Sequence, residues 1–149
     1  MTHTASDVAK WFLAHNRVAA DEEGAEYISN LKLQKLLYYA QGCFLATTGA
    51  PLFSDPIVAW QHGPVVEHVY HEYKHNGKNG IVFEDDFDFS MFTPEENALL
   101  SEVYDVFGQY SAWKLRNMTH QETPWRDTPQ SSVISTDKIK DYFQSEYLA

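Results

Sequence analysis

Residues Asn30 to Ala46 read NLKLQKLLYYAQGCFLA, and the rest of the chain is best understood around them. Leu33, Leu36, Leu37, Ala40 and Phe44 recur at helical spacing, and Leu31 extends the row. Tyr38, Tyr39 and Cys43 widen the apolar surface on the flanks. A helix that is apolar nearly all round is a buried one. Ser29 or Asn30 can cap its start by accepting from a free N–H. Gly49 and Pro51 stop it, because glycine tolerates a left-handed cap and proline cannot continue the ladder. The spacing therefore predicts a central helix over about residues 30–48, wrapped by the other segments.

The chain has 149 residues, 44% hydrophobic and 15% aromatic, which is enough to bury a core within one domain, 1–149. No apolar run approaches the ~18 residues that a membrane span needs. The start, MTHTASDVAK, lacks a basic n-region and an apolar h-region, so no secretion signal is expected. The single cysteine, Cys43, cannot form an internal disulfide, and a reduced, cytoplasmic setting is the simplest reading. A net charge of −10 favours solubility and disfavours general binding to phosphate backbones. It also suits an acidic surface that steers a basic partner.

Along the chain, Thr4 and Asp7 are spaced as a capping box for a helix from about Ala5 to about Val18. Val8, Trp11 and Phe12 form its apolar face. Ala19 to Tyr27 is acidic, contains a glycine, and reads as a loop or a loop with a helical turn. Ile57, Val58 and Trp60 suit a short strand, with Pro56 placing it at an edge or a strand start. Gly63-Pro64 reads as a helix start, and the helix should run to about His75 with Val65, Val66, Val69, Tyr70 and Tyr73 as its stripe. Ile81-Val82-Phe83 is expected to pair with the Ile57–Trp60 strand. Phe87, Phe89 and Phe92 can tuck inward while Asp85, Asp86 and Asp88 stay in water.

Thr93-Pro94-Glu95-Glu96 combines a cap, a first-turn proline and a capping-box glutamate. The helix that follows ends at Gly108. Ser111 caps another through about Met118, with Trp113 and Leu115 available to the core. Thr123-Pro124-Trp125 begins a helical turn or bend, and Pro129 to Val133 is a polar linker. Ser135 or Thr136 caps a last helix with Ile139, Tyr142 and Phe143 facing inward. The expected fold is mainly α (α+β): five to seven helices around the central one, with a two- or three-stranded β element near 52–61 and 81–83.

His71-Glu72-Tyr73-Lys74-His75 matches H-E-x-x-H, in which two imidazoles on one helical face hold zinc and the glutamate assists the bound water. His68 could join the cluster, and a zinc-dependent hydrolase is the enzyme reading. At 100° per residue, however, His68, His71 and His75 oppose the apolar stripe and face solvent. Asn76-Gly77 breaks the helix directly afterwards, and no third ligand is obvious. No metal and no cofactor are therefore assigned, and the expectation is a non-enzyme with at most an adventitious metal-binding face. Cys43 reads as a structural thiol. Lys32 and Lys35 read as an exposed edge or as partners of the acidic loop. His120 suits a helix C-terminus. Trp60, Trp113 and Trp125 suit the core, although tryptophan also anchors interfaces.

Leu31 to Gln41 closely resembles the opening signature of the Panacea domain, the SocA-like and GepA-like antitoxin family, which is common in phages. The likeness continues in order. Pro51-Leu52-Phe53 comes first, then Ala59 to Val66 with Val69-Tyr70. Leu115 to Trp125 with Thr119-His120 and Pro124-Trp125 comes next, and the Ile134 to Phe143 end closes it. It spans about residues 8–143, with His62 standing where the family usually has an aromatic. The resemblance implies a mostly helical antitoxin of a type II-like toxin–antitoxin system. Such a protein binds and neutralises a toxin encoded in the adjacent gene. One branch acts instead as an adaptor delivering its toxin to a protease. Partner contacts are expected around Trp60, His62, Tyr70, the acidic pair Asp85 and Asp86, His120 and Trp125.

Overall fold

The computed structural model describes residues 2–148. The helices are α1 (Ala5–Glu23), α2 (Asn30–Thr48), α3 (Glu67–Tyr73), α4 (Pro94–Phe107), α5 (Ala112–His120), α6 (Thr123–Arg126) and α7 (Thr136–Glu146). Strands β1 (Val58–Trp60) and β2 (Gly63–Val65) lie between α2 and α3. The stretch read first is the central helix. Ser29 Oγ accepts from the Lys32 N–H at 3.3 Å, and Gly49 closes the helix at φ 81°. Helices α1, α4, α5 and α7 and strand β2 all pack on α2. Leu33, Leu36, Leu37, Tyr38, Tyr39 and Ala40 have no exposed surface.

Four polar side chains of α2, Asn30, Gln34, Lys35 and Gln41, are buried too, and each holds the backbone of another segment. Gln41 Nε2 donates to Phe53 O at 2.8 Å, and Gln41 Oε1 accepts from the Leu52 N–H at 2.8 Å. Gln34 Oε1 accepts from the Val66 N–H at 2.9 Å. Asn30 Nδ2 donates to Tyr70 O at 3.0 Å. Lys35 Nζ donates to Pro64 O at 3.0 Å. Lys35 is thus neither an exposed edge nor an ion-pair partner of the acidic loop, for it has no exposed surface. Helices on every side of α2 leave it no path to solvent. Lys32 donates to Gly108 O instead of reaching the acidic loop.

Helix α1 extends past Val18 to Glu23, because Ala19, Ala20 and the acidic residues are adequate helix formers and Gly24 at φ 73° supplies the cap. The β pairing also departs from expectation. Ile81-Val82-Phe83 does not pair with β1; the Ile81 N–H goes to Ile28 O at 2.8 Å. Instead β1 pairs antiparallel with β2 in the register Val58↔Val65, Ala59↔Pro64, Trp60↔Gly63. The other edge of β1 is covered by the supposed linker. The Ala59 N–H donates to Ser132 O, the Ser131 N–H to Ala59 O, and the Ile134 N–H to Ile57 O. Because both polar groups of Ala59 point toward Ser131 and Ser132, Pro64 lies opposite a residue that needs no N–H from it. Gly63-Pro64 is therefore strand, and α3 begins later, at Glu67.

Phe92 is buried, Phe87 and Phe89 are half-buried, and Asp85, Asp86 and Asp88 are exposed, as the alternation implies. Thr93 and Glu96 form the full capping box of α4. Trp113 is 58% exposed and does not join the core, whereas Leu115 on the same helix is fully buried. Helix α7 closes the far side of α2. Phe143 lies over Gly42, where any added Cβ would meet its ring. Nearby, the buried Glu122 carboxylate accepts from Tyr38 at 2.9 Å, Tyr39 at 3.0 Å and Tyr147 at 2.6 Å. Burial raises the Glu122 pKa, against the lowering effect of these three hydroxyls. It also raises those of Tyr38, Tyr39 and Tyr147.

Two stability outcomes follow from this packing. Gly42→Ala should lower the unfolding free energy by about 1–3 kcal/mol through overpacking, with partial rescue by Phe143→Leu in the same chain. Glu122→Ala should cost about 1–3 kcal/mol, because the tyrosine hydroxyls lose their acceptor, and Glu122→Gln should cost less. Urea denaturation with circular dichroism reads both, and equal losses for the two Glu122 variants would remove the hydrogen-bond explanation.

Candidate interaction surface

The β1–β2 hairpin projects Gln61 and His62 into solvent at its turn, and side chains from three helices fix it from behind. Trp125 Nε1 donates to Trp60 O at 2.7 Å. His120 Nε2 lies 3.0 Å from Gln61 O, and its ring stacks on Trp125 with centroids 4.0 Å apart. Burial lowers the His120 pKa, and the Arg116 guanidinium adds to the effect. The neutral ring therefore prevails at pH 7, with Nε2–H assigned as the donor to Gln61 O. Lys35 holds Pro64 O from the core side. Gly63, at φ 114°, leaves the room this needs, since a Cβ there would lie 2.7 Å from Lys35 Cε and 2.8 Å from Thr119 Oγ1.

Trp60, half-buried, meets the Tyr70 ring edge-on at 4.9 Å. On the other side of the turn, Arg116 Nε donates to His62 Nδ1 at 3.1 Å while its guanidinium lies 4.4 Å from the Trp113 ring centre. Trp60, His62, Tyr70, His120 and Trp125 thus come together around one hairpin. Asp85 and Asp86 do not line this surface; they sit exposed on the segment after Gly77. Sequence reading missed Trp113 and Arg116 as surface groups and Lys35 as the strut beneath them. It also missed Ser131, the only non-glycine residue with positive φ among those described, at 69°. An exposed tryptophan has no sequence signature distinct from a buried one, and Ser131 sits in a stretch with only polar composition to read.

A cleft of about 540 Å³ opens beside the hairpin, between Leu31, Trp60, Tyr70, Lys74, Lys78 and Ser131. His68, His71 and His75 are all exposed, and Glu72 accepts from Ser6 Oγ at 2.9 and 3.2 Å. Among the described residues, no three His, Cys, Asp or Glu side chains converge to hold a metal ion. Cys43 is half-buried, and burial pushes its thiol up to about 12, which suits packing and not nucleophilic attack. No helix is long and apolar enough to cross a membrane among the described residues.

Burial brings the Lys35 pKa down to about 7, with Arg116 contributing repulsion. Folding therefore disfavours the charged amine, and the unfolded chain binds more protons between the folded value and the ordinary value of 10.5. The burden is fully present below about pH 7 and lifts as pH rises. Stability should climb from pH 7 to 8.5, with a slope of at most about 1.4 kcal/mol per pH unit. Above about pH 8 the unfolded Cys43 thiol, with an ordinary value of 9.0, begins to ionise and opposes the trend, and the tyrosines follow only at higher pH. Lys35→Met should flatten the slope in urea titrations, and an unchanged slope would show that Lys35 does not titrate there.

A family model described as "Antitoxin SocA-like, Panacea domain" matches residues 33–126, more than half of the chain and the span from α2 through α6. Antitoxin SocA of Caulobacter vibrioides (strain NA1000 / CB15N) is 49% identical over 55 residues, 37% of this chain. That alignment covers 29% of the Caulobacter protein's own length. No solved structure matches. The matched span contains the central helix, the hairpin and the helices that clamp it, and the chain belongs to the SocA-like antitoxin family that carries the Panacea domain.

Proposed function

We propose that this chain is an antitoxin that neutralises a cognate toxin by direct, non-enzymatic protein–protein binding. The toxin is expected to be the product of the adjacent gene. The observation that carries this reading is family membership across the segment that builds the hairpin. The name of the Caulobacter relative, an antitoxin, agrees with it.

The hairpin face has the character of a docking surface. It is held by bonds from Lys35, His120 and Trp125, so little ordering entropy is spent when a partner arrives. It presents Trp113 and Arg116 in contact with each other at its edge, residue types that dominate binding hot spots. A complex of ordinary size buries about 1,200–2,000 Å², which is more than the hairpin alone provides. The contact is expected to spread from the hairpin over α5 and the neighbouring cleft.

Co-expression should rescue cells from the adjacent gene product, and the two proteins should co-purify. Toxin abundance should stay constant during rescue, which separates neutralisation from delivery to a protease. Trp113→Ala combined with Arg116→Ala should weaken the complex by about thirtyfold, near 2 kcal/mol, without unfolding the chain. Folded protein that neither rescues nor co-purifies would end the reading.

A further inference from the structure

The cleft beside the hairpin differs in charge from the rest of the molecule. The chain carries 21 acidic residues and a net charge of −10. No Asp or Glu lines this cleft, whereas Lys74 and Lys78 do, both exposed. Neither lysine has an ion-pair partner among the described residues. Beneath them lie Leu31, Trp60 and Tyr70, each half-buried. The amides at the back, Asn30 and Gln34, are already engaged with Tyr70 O and the Val66 N–H. The wall is thus preformed, and its unused cations stand at the mouth over an apolar floor.

Ser131 adds an independent sign. Its backbone is held at φ 69° on the rim by the bond from its N–H to Ala59 O. Strained non-glycine backbone of this kind concentrates at ligand-binding positions.

We propose that this groove receives an acidic segment of a partner protein, with one bulky apolar side chain seated on Trp60 and Tyr70 and flanking carboxylates paired with Lys74 and Lys78. The proposal rests on the partner-binding reading above and specifies what the partner presents. A cleft of about 540 Å³ accommodates a few side chains and not a folded domain. A small inorganic anion has little reason to settle here, because both cations sit on exposed flexible stems over hydrocarbon. A second copy of this chain is a poor occupant as well. Its own acidic stretch, Asp85 to Asp88, keeps Phe87 and neighbouring Phe89 packed together at 5.0 Å, and Phe89 against Trp11 at 5.9 Å. Those aromatic side chains are not free to act as an anchor.

The test uses a fluorescein-labelled decapeptide of Glu and Asp around a central Leu-Phe pair, titrated into the full chain. The expected result is saturable binding below about 1 mM, weakened by salt, with amide and indole NMR shifts at Trp60 and Tyr70. Lys74→Glu with Lys78→Glu should weaken it at least about tenfold while the circular dichroism stays unchanged. The proposal is overturned by no saturation at that concentration, by equal binding of a Lys-substituted peptide, or by an indifferent double variant. Displacement by inorganic phosphate at similar concentration would make it a small-anion site instead. A dimer seen by sedimentation and abolished by the double variant would make it a self-contact. Capture of the adjacent gene product is run beside these titrations. Capture that survives the double variant discards the groove and keeps the antitoxin reading. Peptide binding without capture by the unmodified chain does the reverse.

Discussion

The structure depends on a helix that is buried on all sides yet carries amides, a lysine and phenols. Burying such groups is unfavourable unless each finds a partner, and an unpaired one costs about 1–3 kcal/mol. Helix α2 meets that demand by bonding mainly to the backbone of its neighbours. Gln41 takes the chain at Leu52 and Phe53, Gln34 takes it at Val66, Lys35 at Pro64, and Asn30 at Tyr70. Asn16 of α1 does the same for the Ile28 N–H. A slip of the hairpin by one residue would strand several of these groups together. The apolar surface of α2 drives collapse, and its polar groups decide which loop lies where.

The same logic runs in reverse at Glu122, where one carboxylate serves the hydroxyls of Tyr38, Tyr39 and Tyr147. Among the described residues no cation pairs with it, and burial raises its pKa. The bond to Tyr147 ties the end of α7 to α6, while Phe143 fills the notch at Gly42. The C-terminal helix is thereby fastened by one polar and one apolar contact, both made beside the α2 aromatic pair Tyr38 and Tyr39. Fixing α6 from this side also fixes Trp125, which holds the hairpin at Trp60 O.

How much of this could be read beforehand depends on the range of the cause. The central helix, its caps and the α4 capping box were legible, because their causes lie within a few residues. So was the inward turn of Phe92 beside exposed aspartates. The pairing of β1 was not. Ile81-Val82-Phe83 has strand-forming residues, but a two-residue turn at Gln61-His62 makes β2 a far nearer partner, with little loop entropy to overcome. Gly63-Pro64 suits either a helix start or a strand edge by local rules, and the contacts with Lys35 and Thr119 decide between them. Around the candidate surface, the partial burial of Trp60 and Trp125 agrees with their residue type. Trp113 was assigned inward because amphipathic spacing on a short helix leaves its flanks undetermined, and Lys35 outward because charge dominates any local reading.

Charge acts on two length scales here, and they have opposite signs. At about 10 Å, the screening length at ordinary ionic strength, an approaching protein meets the summed field of a chain with net charge −10. Within a few ångströms of the cleft the only charges it meets are those of Lys74 and Lys78, over hydrocarbon. A large partner acidic over its whole surface would approach slowly against this field, and a wholly basic one would be attracted but bring no carboxylate to the groove. The arrangement favours a partner that is basic at large and carries one acidic, apolar-centred segment. Requiring both signs from one molecule rejects more competitors than either alone, because each wrong partner fails at a different distance.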